Sequence, residues 1–273
     1  MRSKASSSLF LRAYNVARAA RVLDVPWLRR GFLYSYSLYK RWYEDPFWHL
    51  ARRSPELFAD GDVLDIGANV GYTAAVFARA ARPGAKVYAF EPDAQSFAEL
   101  KEAVRRKKLA ERVEIFNMAI GAGDGEVEFW HNEEHAADHR VATERFKSWG
   151  IAGAQVRRVA MTSVDNFVRQ RGLRSVAFVK IDVQGYELAV CEGMNETLAR
   201  FPQASVCFEY APEGMRELGF EPAKLLQLFR DAGYQLHILT RSAAMPAAED
   251  QAIEAAAARS GYVDLLCSRK ALS

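Results

Sequence analysis

The ten residues 63–72 constrain this chain more than any other stretch, because they join a short apolar run to a glycine-containing turn. Residues 63–66 predict a buried strand, and the Ala-rich residues 70–81 predict the helix that follows. Gly67 and Gly71 lie in the turn, where a missing Cβ permits unusual backbone angles and lets a ligand approach the backbone. The first N–H groups of the helix point at the same space. The stretch therefore predicts a ligand site.

An acidic residue comes directly after the second predicted strand, residues 86–90. This residue is Glu91, and in doubly wound folds a carboxylate placed about 20 residues after the glycines binds the ribose of a nucleoside cofactor. The dinucleotide fingerprint G-x-G-x-x-G is absent. The spacing is instead Asp65-x-Gly67-x-Asn69-x-Gly71. Asp65 suits the cationic S-adenosylmethionine and would repel a pyrophosphate, so the loop favours a methyl donor over NAD.

Strand and helix patterns alternate along the rest of the chain, which is typical of a doubly wound, mostly parallel α/β sheet. The predicted strands of the main sheet are residues 63–66, 86–90, 113–118, 176–181, 205–208, 234–239 and 262–267. Further helices are predicted at residues 94–108, 163–170, 186–200 and 221–232. Residues 126–130 and 155–161 predict an antiparallel pair. A chain of 273 residues can bury a core of this kind in one large domain.

The N-terminal part differs in composition from the remainder. Residues 1–50 contain nine Lys or Arg, three acidic residues and many aromatic side chains. Three interpretations stay open: a helical layer packed on the main domain, a peripheral membrane contact, or a transit peptide in residues 1–23. Ser54 and Pro55 indicate a helix start. We therefore predict a basic, aromatic helical extension in residues 1–55 and a methyl-donor-binding domain in residues 56–273.

Charge and cysteine content exclude several classes of protein. The net charge of +3 is too small to indicate a nucleic-acid partner, and the basic end of helix 94–108 is expected to be a solvated surface. The three cysteines form no C-x-x-C pair and lie in apolar runs, which favours buried thiols in a reducing, cytoplasmic compartment. No segment reaches the ~18 consecutive apolar residues of a membrane span.

Four acidic residues fall at the ends of predicted strands or directly after them: Asp65, Glu91, Asp182 and Glu209. Ligands of open α/β sheets bind outside the carboxyl ends of the strands, so the set indicates a site, although any one of them would also serve as a helix cap. The strands that carry Asp65 and Asp182 are expected to be neighbours. Asp182 is therefore expected near the reacting centre.

Three of the five histidines occur close together, at His131, His135 and His139. Their i, i+4, i+8 spacing would place them on one face if the segment is helical. Such a group can supply a general base or a metal site, and the segment can equally be a polar insertion that binds nothing. We assign His135 or His139 to proton removal, and we assign no residue to a metal.

Three motifs in register resemble one protein family. The segments VLDIGANVGY at residues 63–72, VYAFEP at 87–92 and VKIDVQGYE at 179–187 are similar to those of the FkbM family of S-adenosylmethionine-dependent methyltransferases, across about residues 60–240. The resemblance implies a class I, Rossmann-like methyltransferase fold with a seven-stranded sheet whose last strand is antiparallel. It also implies O-methylation of sugars, polyketides or other natural products. Many family members have Glu at the position of Gln184.

The resemblance also implies roles for individual residues. Asp65, Gly67, Asn69 and Gly71 would line the methionine part of the donor, Glu91 would bind the ribose, and Met118 and Ala119 would lie by the adenine. Tyr72, Pro92 and Asp182 complete the predicted cofactor-binding set.

The resulting hypothesis is an S-adenosylmethionine-dependent O-methyltransferase. Its acceptor would be a hydroxyl of a sugar, glycan or glycosylated metabolite, faced by Asp182 and Glu209, with His135 or His139 assisting deprotonation. The alternatives are a nicotinamide-dependent oxidoreductase and a non-catalytic donor-binding protein.

Overall fold

The computed structural model describes residues 46–131, 139–148, 156–270 and 272. The expectations for residues 1–45, and the position of His135, lie outside the described residues. Residues Phe47–Arg53, which belong to the predicted N-terminal extension, form a helix. Its Phe47 side chain packs edge-on against Phe77, with ring centroids 5.5 Å apart.

Strands and helices alternate through most of the chain. The strands are β1 (Asp62–Ile66), β2 (Val87–Phe90), β3 (Val113–Phe116), β4 (Ala119–Ile120), β5 (Gly125–Trp130), β6 (Arg140–Val141), β7 (Val156–Thr162), β8 (Val176–Ile181), β9 (Ser205–Tyr210), β10 (Gln235–Ile238) and β11 (Val263–Ser268). The helices are α1 (Phe47–Arg53), α2 (Tyr72–Ala80), α3 (Ala94–Arg106), α4 (Glu144–Lys147), α5 (Val164–Arg171), α6 (Glu187–Glu192), α7 (Asn195–Arg200), α8 (Pro212–Glu217), α9 (Pro222–Asp231) and α10 (Asp250–Ser260). Pro55–Phe58 forms a 3-10 turn.

The main sheet has seven strands in the order β10-β11-β9-β8-β1-β2-β3. β1 lies in its centre and pairs in parallel with β2 on one side and β8 on the other. β11 runs antiparallel to both of its neighbours. The predicted doubly wound sheet, with an antiparallel last strand, is therefore confirmed.

Both faces of this sheet are buried, which explains why the central strands are almost continuously apolar. Alternate residues of a strand point to opposite faces. Accordingly, Phe178 packs with Phe58 and Phe77 in one core cluster, whereas Phe90 packs with Phe116 and Phe167 in the other. Helices cover β1 and β8 on both faces of the sheet. The carboxyl ends of these two strands carry residues of the site described below.

A second sheet has the strand order β4-β7-β5-β6. The predicted antiparallel pairing of residues 126–130 with 155–161 is confirmed, since β5 pairs antiparallel with β7. β5 also pairs antiparallel with β6, and the last bridged residues of this hairpin are Trp130 and Arg140.

The prediction of one continuous helix at residues 186–200 is wrong. The chain forms α6 and α7 with Gly193 between them, and a Cβ on Gly193 would lie 2.2 Å from the Gly121 carbonyl oxygen. The close backbone contact, which sequence periodicity does not encode, interrupts the helix. Helix α8, with Pro212 in its first turn, was also not predicted.

Two further expectations concern the described residues. Cys191, Cys207 and Cys267 are buried, free thiols, as predicted. Within the part of the chain that the structure describes, no helix combines the length and the apolar character that crossing a membrane requires.

Candidate functional site

The turn after β1 has the unusual backbone that its glycines predict. The φ angles of Gly67, Asn69 and Gly71 are 75°, 48° and 81°. A Cβ on Gly67 would lie 1.9 Å from the backbone carbonyl oxygen of Asp182. We expected the missing Cβ to make room for a ligand, but the adjacent chain after β8 already requires it.

Helix α2 begins directly after this turn, with Gly71 as its N-cap residue and no acidic side chain in its first turn. Because glycine has no side chain, the N-cap supplies no capping oxygen to the first amides of the helix. The positive end of the helix dipole is therefore available to an anionic group of a ligand.

Glu91 lies at the end of β2 and is held by two backbone amides. Its Oε2 accepts a hydrogen bond from the Asn69 N–H, and its Oε1 accepts one from the Asp93 N–H, both at 2.8 Å. The residue is only 6% exposed, and burial raises the pKa of Glu91 to about 7. The carboxylate is thus fixed in direction at the carboxyl end of β2, beside the turn.

The chain on the other side of Glu91 is also fixed. The Asn117 side-chain amide donates to the carbonyl oxygens of Glu91, at 2.8 Å, and of Pro92, at 3.1 Å. The two predicted adenine neighbours, Met118 and Ala119, follow β3 after Asn117. Ala119 is buried, and Met118 is partly buried against the core. Tyr72 and Pro92 are partly exposed at the same end of the sheet.

Lys180 connects the two central strands. It is paired in register with Asp65 across β1 and β8. Its Nζ donates to the Gly67 carbonyl oxygen at 2.8 Å and lies 3.6 Å from Asp65 Oδ1 and 3.5 Å from Asp182 Oδ2. The sequence offers one sign of this role, because Lys180 is a charged residue within the otherwise apolar run of residues 176–181.

Asp65 differs from its predicted role. Its side chain has no exposed surface, and its Oδ2 accepts a hydrogen bond from the Thr73 hydroxyl at 2.7 Å. Burial raises the pKa of Asp65, and the Lys180 ammonium opposes that rise. Asp65 therefore lies beneath the turn and supports it from below, whereas we expected it to line the ligand.

Asp182 follows β8 and is the more accessible carboxylate, with 38% of its side chain exposed. The side-chain amide of Gln184 donates to Asp182 Oδ1 at 2.9 Å. Gln184 has a φ of 55°, and Gly185 packs so closely on Gly214 that a Cβ would lie 2.6 Å from that carbonyl oxygen. Strand pairing and this tight loop together fix where Asp182 points.

Glu187 supports the loop from inside. Its Oε1 accepts hydrogen bonds from the Val183 N–H at 3.0 Å and the Gly185 N–H at 3.3 Å. Oε2 is buried without a hydrogen-bond partner among the described residues. Burial raises the pKa of Glu187 to about 7. Glu187 is the last residue of the motif at residues 179–187, and no role was predicted for it.

Glu209, at the end of β9, is the second predicted acceptor-facing carboxylate. Burial, with further contributions from Asp182, Glu187 and Asp264, raises its pKa well above the usual value. The raised pKa favours the protonated form of Glu209, which can donate a hydrogen bond. Asp182 and Glu209 lie in one electrostatic cluster around Lys180, as the strand order predicts.

The two described histidines of the predicted stripe are not on a helix. His131 follows β5 and His139 precedes β6, so the hairpin brings them together. His131 Nδ1 lies 2.6 Å from Asp93 Oδ2. Hydrogen bonds from the Ser96 amide and from His131 outweigh burial and lower the pKa of Asp93. This group lies at the end of β2, on the opposite side of β1 from Asp182.

A cavity of about 460 Å³ opens between the second sheet and Tyr186, which follows the Asp182 loop. Its wall combines an aromatic side chain with several carboxylates and one guanidinium. The charged and aromatic lining residues are Glu126, Glu128, Glu144, Arg158 and Tyr186. Such a lining offers hydrogen-bond acceptors and a flat apolar ring to a ligand rich in hydroxyl groups.

These features fit a nucleoside cofactor that has a carboxylate and no phosphate. Glu91 presents carboxylate oxygens for a ribose diol, and the first turn of α2 presents uncapped amides for an anionic group.

Comparisons with known proteins agree with this geometry. Residues 65–236 match the model of the methyltransferase FkbM domain. A segment of 159 residues is 28% identical to the 2-O-methyltransferase NoeI of Sinorhizobium fredii, and covers 52% of this chain and 60% of that protein. A segment of 166 residues is 25% identical to the 31-O-demethyl-FK506 methyltransferase FkbM of Streptomyces tacrolimicus, and covers 53% and 64%.

A solved structure also resembles this one. The FkbM methyltransferase from Methylobacillus flagellatus aligns with a TM-score of 0.50 at 15% identity, over 81% of this chain and 47% of that one. At this identity the likeness concerns the fold alone. The matched segments span less than two thirds of the length of each of these three relatives.

Proposed function

We propose, from the premise that this chain belongs to the FkbM methyltransferase family, that it methylates a hydroxyl group of a sugar, glycan or glycosylated metabolite with S-adenosylmethionine as donor. The observation that carries the proposal is Lys180, because it links the donor-side turn, through Gly67, to the acceptor-side carboxylate Asp182. One buried cation thus sets the relative positions of the two halves of the site.

The donor would be held by the turn after β1, the N-terminus of α2 and the end of β2. Glu91 would accept hydrogen bonds from the ribose hydroxyls, and the first amides of α2 would face the carboxylate of the methionine part. When bound, S-adenosylmethionine supplies an electrophilic methyl group on a sulfonium. The chain itself contributes position and charge: Lys180 holds the turn through the Gly67 carbonyl oxygen and lies 3.5 Å from Asp182.

Proton removal from the acceptor hydroxyl is assigned to Asp182. Its carboxylate is accessible, and Gln184 and Lys180 fix it from two directions. Burial raises the pKa of Glu209, and in its protonated form Glu209 would donate a hydrogen bond to a neighbouring oxygen of the acceptor.

The roles of His135 and His139 in proton removal stay predictions. His139 Nε2 lies 3.7 Å from Asp93 Oδ1, in the group at the end of β2. Because that group lies across β1 from Asp182, we place the first proton transfer on Asp182.

The lining of the cavity beside Tyr186 supports an acceptor with several hydroxyl groups. Carboxylates accept hydrogen bonds from sugar hydroxyls, and an aromatic ring packs on the apolar face of a sugar. The names of both curated relatives specify methylation of oxygen. The family match disfavours the nicotinamide-dependent alternative, and a non-catalytic donor-binding protein remains the second candidate.

Calorimetric titration tests the donor, with NAD as the control ligand. We expect S-adenosylmethionine alone to bind, with 1:1 stoichiometry, and Glu91→Ala to abolish binding. Transfer of a radiolabelled methyl group to a panel of mono- and oligosaccharides then tests the acceptor. Donor binding without transfer to any glycoside would reject the acceptor class, and binding of NAD alone would reject the methyltransferase proposal itself.

A further inference from the structure

The hairpin of β5 and β6 brings two imidazoles face to face. Trp130 and Arg140 are its last bridged residues, so His131 and His139 are the next pair across it. Their rings are stacked, with centroids 4.4 Å apart and an angle of 19° between the planes. The side chains are 23% and 7% exposed, so neither histidine is directed freely into solvent.

A carboxylate that the fold holds rigidly lies against both rings. Asp93 is the N-cap of α3, and its Oδ1 accepts hydrogen bonds from the Gln95 N–H at 3.0 Å and the Ser96 N–H at 2.8 Å. These two bonds fix the direction of Oδ2, which lies 2.6 Å from His131 Nδ1. His139 Nε2 lies 3.7 Å from Oδ1. One ligand atom from each of the three residues lies within 4.8 Å of the others.

We propose that Asp93, His131 and His139 form a binding site for one divalent transition-metal ion, with Zn²⁺ as the representative ion. Two imidazole nitrogens and one carboxylate oxygen are a common ligand set for zinc and other first-row metals. Metal–ligand distances of about 2.0–2.2 Å place ligand atoms about 3.3 Å apart in a tetrahedral site. The separations of 2.6 Å from Asp93 to His131 and 3.7 Å from Asp93 to His139 lie on either side of that value.

A hydrogen-bonded Asp–His pair alone would explain one histidine and not the second. In this structure His139 stacks on His131 and approaches the same carboxylate, and the hairpin register places both where a single ion would reach them. The backbone amides of Gln95 and Ser96 hold Asp93 in place, and the pairing of β5 with β6 holds the residues next to the two histidines. Together these contacts supply the rigid support that metal ligands require.

The position of the site would let a bound ion link two elements beside the proposed donor region. Asp93 donates its backbone N–H to Glu91 Oε1 at 2.8 Å. An ion bound to Asp93, His131 and His139 would tie the β5–β6 hairpin to the N-terminus of α3, directly beside the carboxylate assigned to the ribose. The metal site itself is independent of the proposed methyl transfer, since it needs neither donor nor acceptor.

The test is titration of the tag-free, chelator-treated full chain with Zn²⁺ by calorimetry, without methyl donor. We expect one ion per chain, and an affinity at least about tenfold lower in His131→Ala and in His139→Ala. His49→Ala is the matched control, because His49 contacts Trp48 outside the group, and its binding should equal that of the wild type. Asp93→Asn should also weaken binding while keeping the helix cap, since Asn caps helices well.

A spectroscopic measurement on the unaltered chain removes any dependence on how the variants fold. Co²⁺ in place of Zn²⁺ should give the visible absorption of a site with nitrogen and oxygen ligands, and Zn²⁺ should displace it. Sub-stoichiometric binding to the wild type, or equal binding by the wild type and both histidine variants, would overturn the proposal. If the wild-type chain binds the metal ion but transfers no methyl group to any acceptor, the proposed function fails and the metal-site proposal stands.

Discussion

The Nζ of Lys180 donates a hydrogen bond of 2.8 Å to the carbonyl oxygen of Gly67, so a strand-end lysine on β8 directly supports the turn after β1. The same ammonium lies between Asp65 and Asp182, at 3.6 Å and 3.5 Å. Lys180 is 3% exposed, and Asp65 is fully buried. A single buried cation thus balances two carboxylates at the junction between the proposed donor and acceptor regions.

Lys180→Met should destabilise the fold. The substitution keeps the length of the side chain but leaves the Asp65 carboxylate buried without a cation, which typically lowers the free energy of unfolding by roughly 3 kcal/mol. Urea unfolding measures the change, with Lys224→Met as the exposed control. The double variant Asp65→Asn, Lys180→Met should lose less than the two single variants added together. Strict additivity would show that the pair is not coupled.

Gly67→Ala should be much more harmful than Gly84→Ala. Both glycines have positive φ, at 75° and 86°, so both substitutions introduce the same kind of backbone strain of about 1–2 kcal/mol. Only at Gly67 would the new Cβ also lie 1.9 Å from a backbone carbonyl, because no atom is within 4 Å of the position at Gly84. Thermal unfolding and donor titration of the two variants separate the clash from the strain, and equal losses would contradict this account.

Donor affinity should increase with pH through about 7. Burial raises the pKa of Glu91 to about 7, and ribose hydroxyls donate to its ionised form. Donor binding therefore favours the ionised form of Glu91. At pH values below the pKa of Glu91 in the donor-free protein, the affinity should fall by up to about tenfold per pH unit. Calorimetric titration with the donor at about six pH values between roughly 5.5 and 8.5 measures how the affinity changes with pH. In Glu91→Gln the dependence should vanish, and an unchanged slope would assign it to another group.

Glu187→Gln should stabilise the protein at high pH. Because burial raises the folded-state pKa of Glu187 from 4.5 to about 7, the folded chain binds more protons between these pH values. The contribution of Glu187 is therefore fully present below pH 4.5 and is lost as the pH rises to about 7, by about 3 kcal/mol. Glutamine keeps an acceptor for the Val183 and Gly185 amides but has no charge to bury.

The measurement for Glu187→Gln is the free energy of unfolding as a function of pH, compared with the wild type. The exposed Glu192→Gln is the control, because it lies in the same helix and should leave the profile unchanged. A variant that parallels the wild type at all pH values would show that Glu187 is not the titrating group.

Asp182→Asn should lower kcat for methyl transfer by about 10²–10⁴-fold. Asparagine keeps the size of the side chain and the hydrogen bond with Gln184, but it cannot accept the hydroxyl proton. The surface variant Asp60→Asn, which removes an exposed pair with Lys270, serves as the control. A kcat within about twofold of the wild type would move the base to another residue, with His139 as the next to test.

Local sequence patterns were sufficient for the main sheet. Residues 176–181 were predicted as a strand, and β8 has the same bounds, because a short run that is apolar except for Lys180 leaves few alternatives. Gly67 and Gly71 were recognised because a left-handed backbone strongly favours glycine. The family resemblance added the antiparallel last strand, which no local pattern specifies.

The roles of the charged residues depended on contacts between distant parts of the chain. The sequence alone placed Asp65 in the donor loop, but only the register of β1 with β8 revealed that Lys180 covers it and that it is buried. The spacing of His131 and His139 predicted a shared face only if their segment is helical, whereas the pairing of β5 with β6 is what brings the two together. Asp93, 38 residues from His131, lies against the first ring.

By itself, then, the sequence determined the strands of the main sheet, the glycine turn and the acidic residue after β2, because each depends on neighbouring residues in the chain. Only the tertiary structure decided which carboxylate is buried, which is accessible and which shares a site with the histidines. Burial and ionic partners arise where strands pair across long separations, and these set the protonation and direction of each side chain.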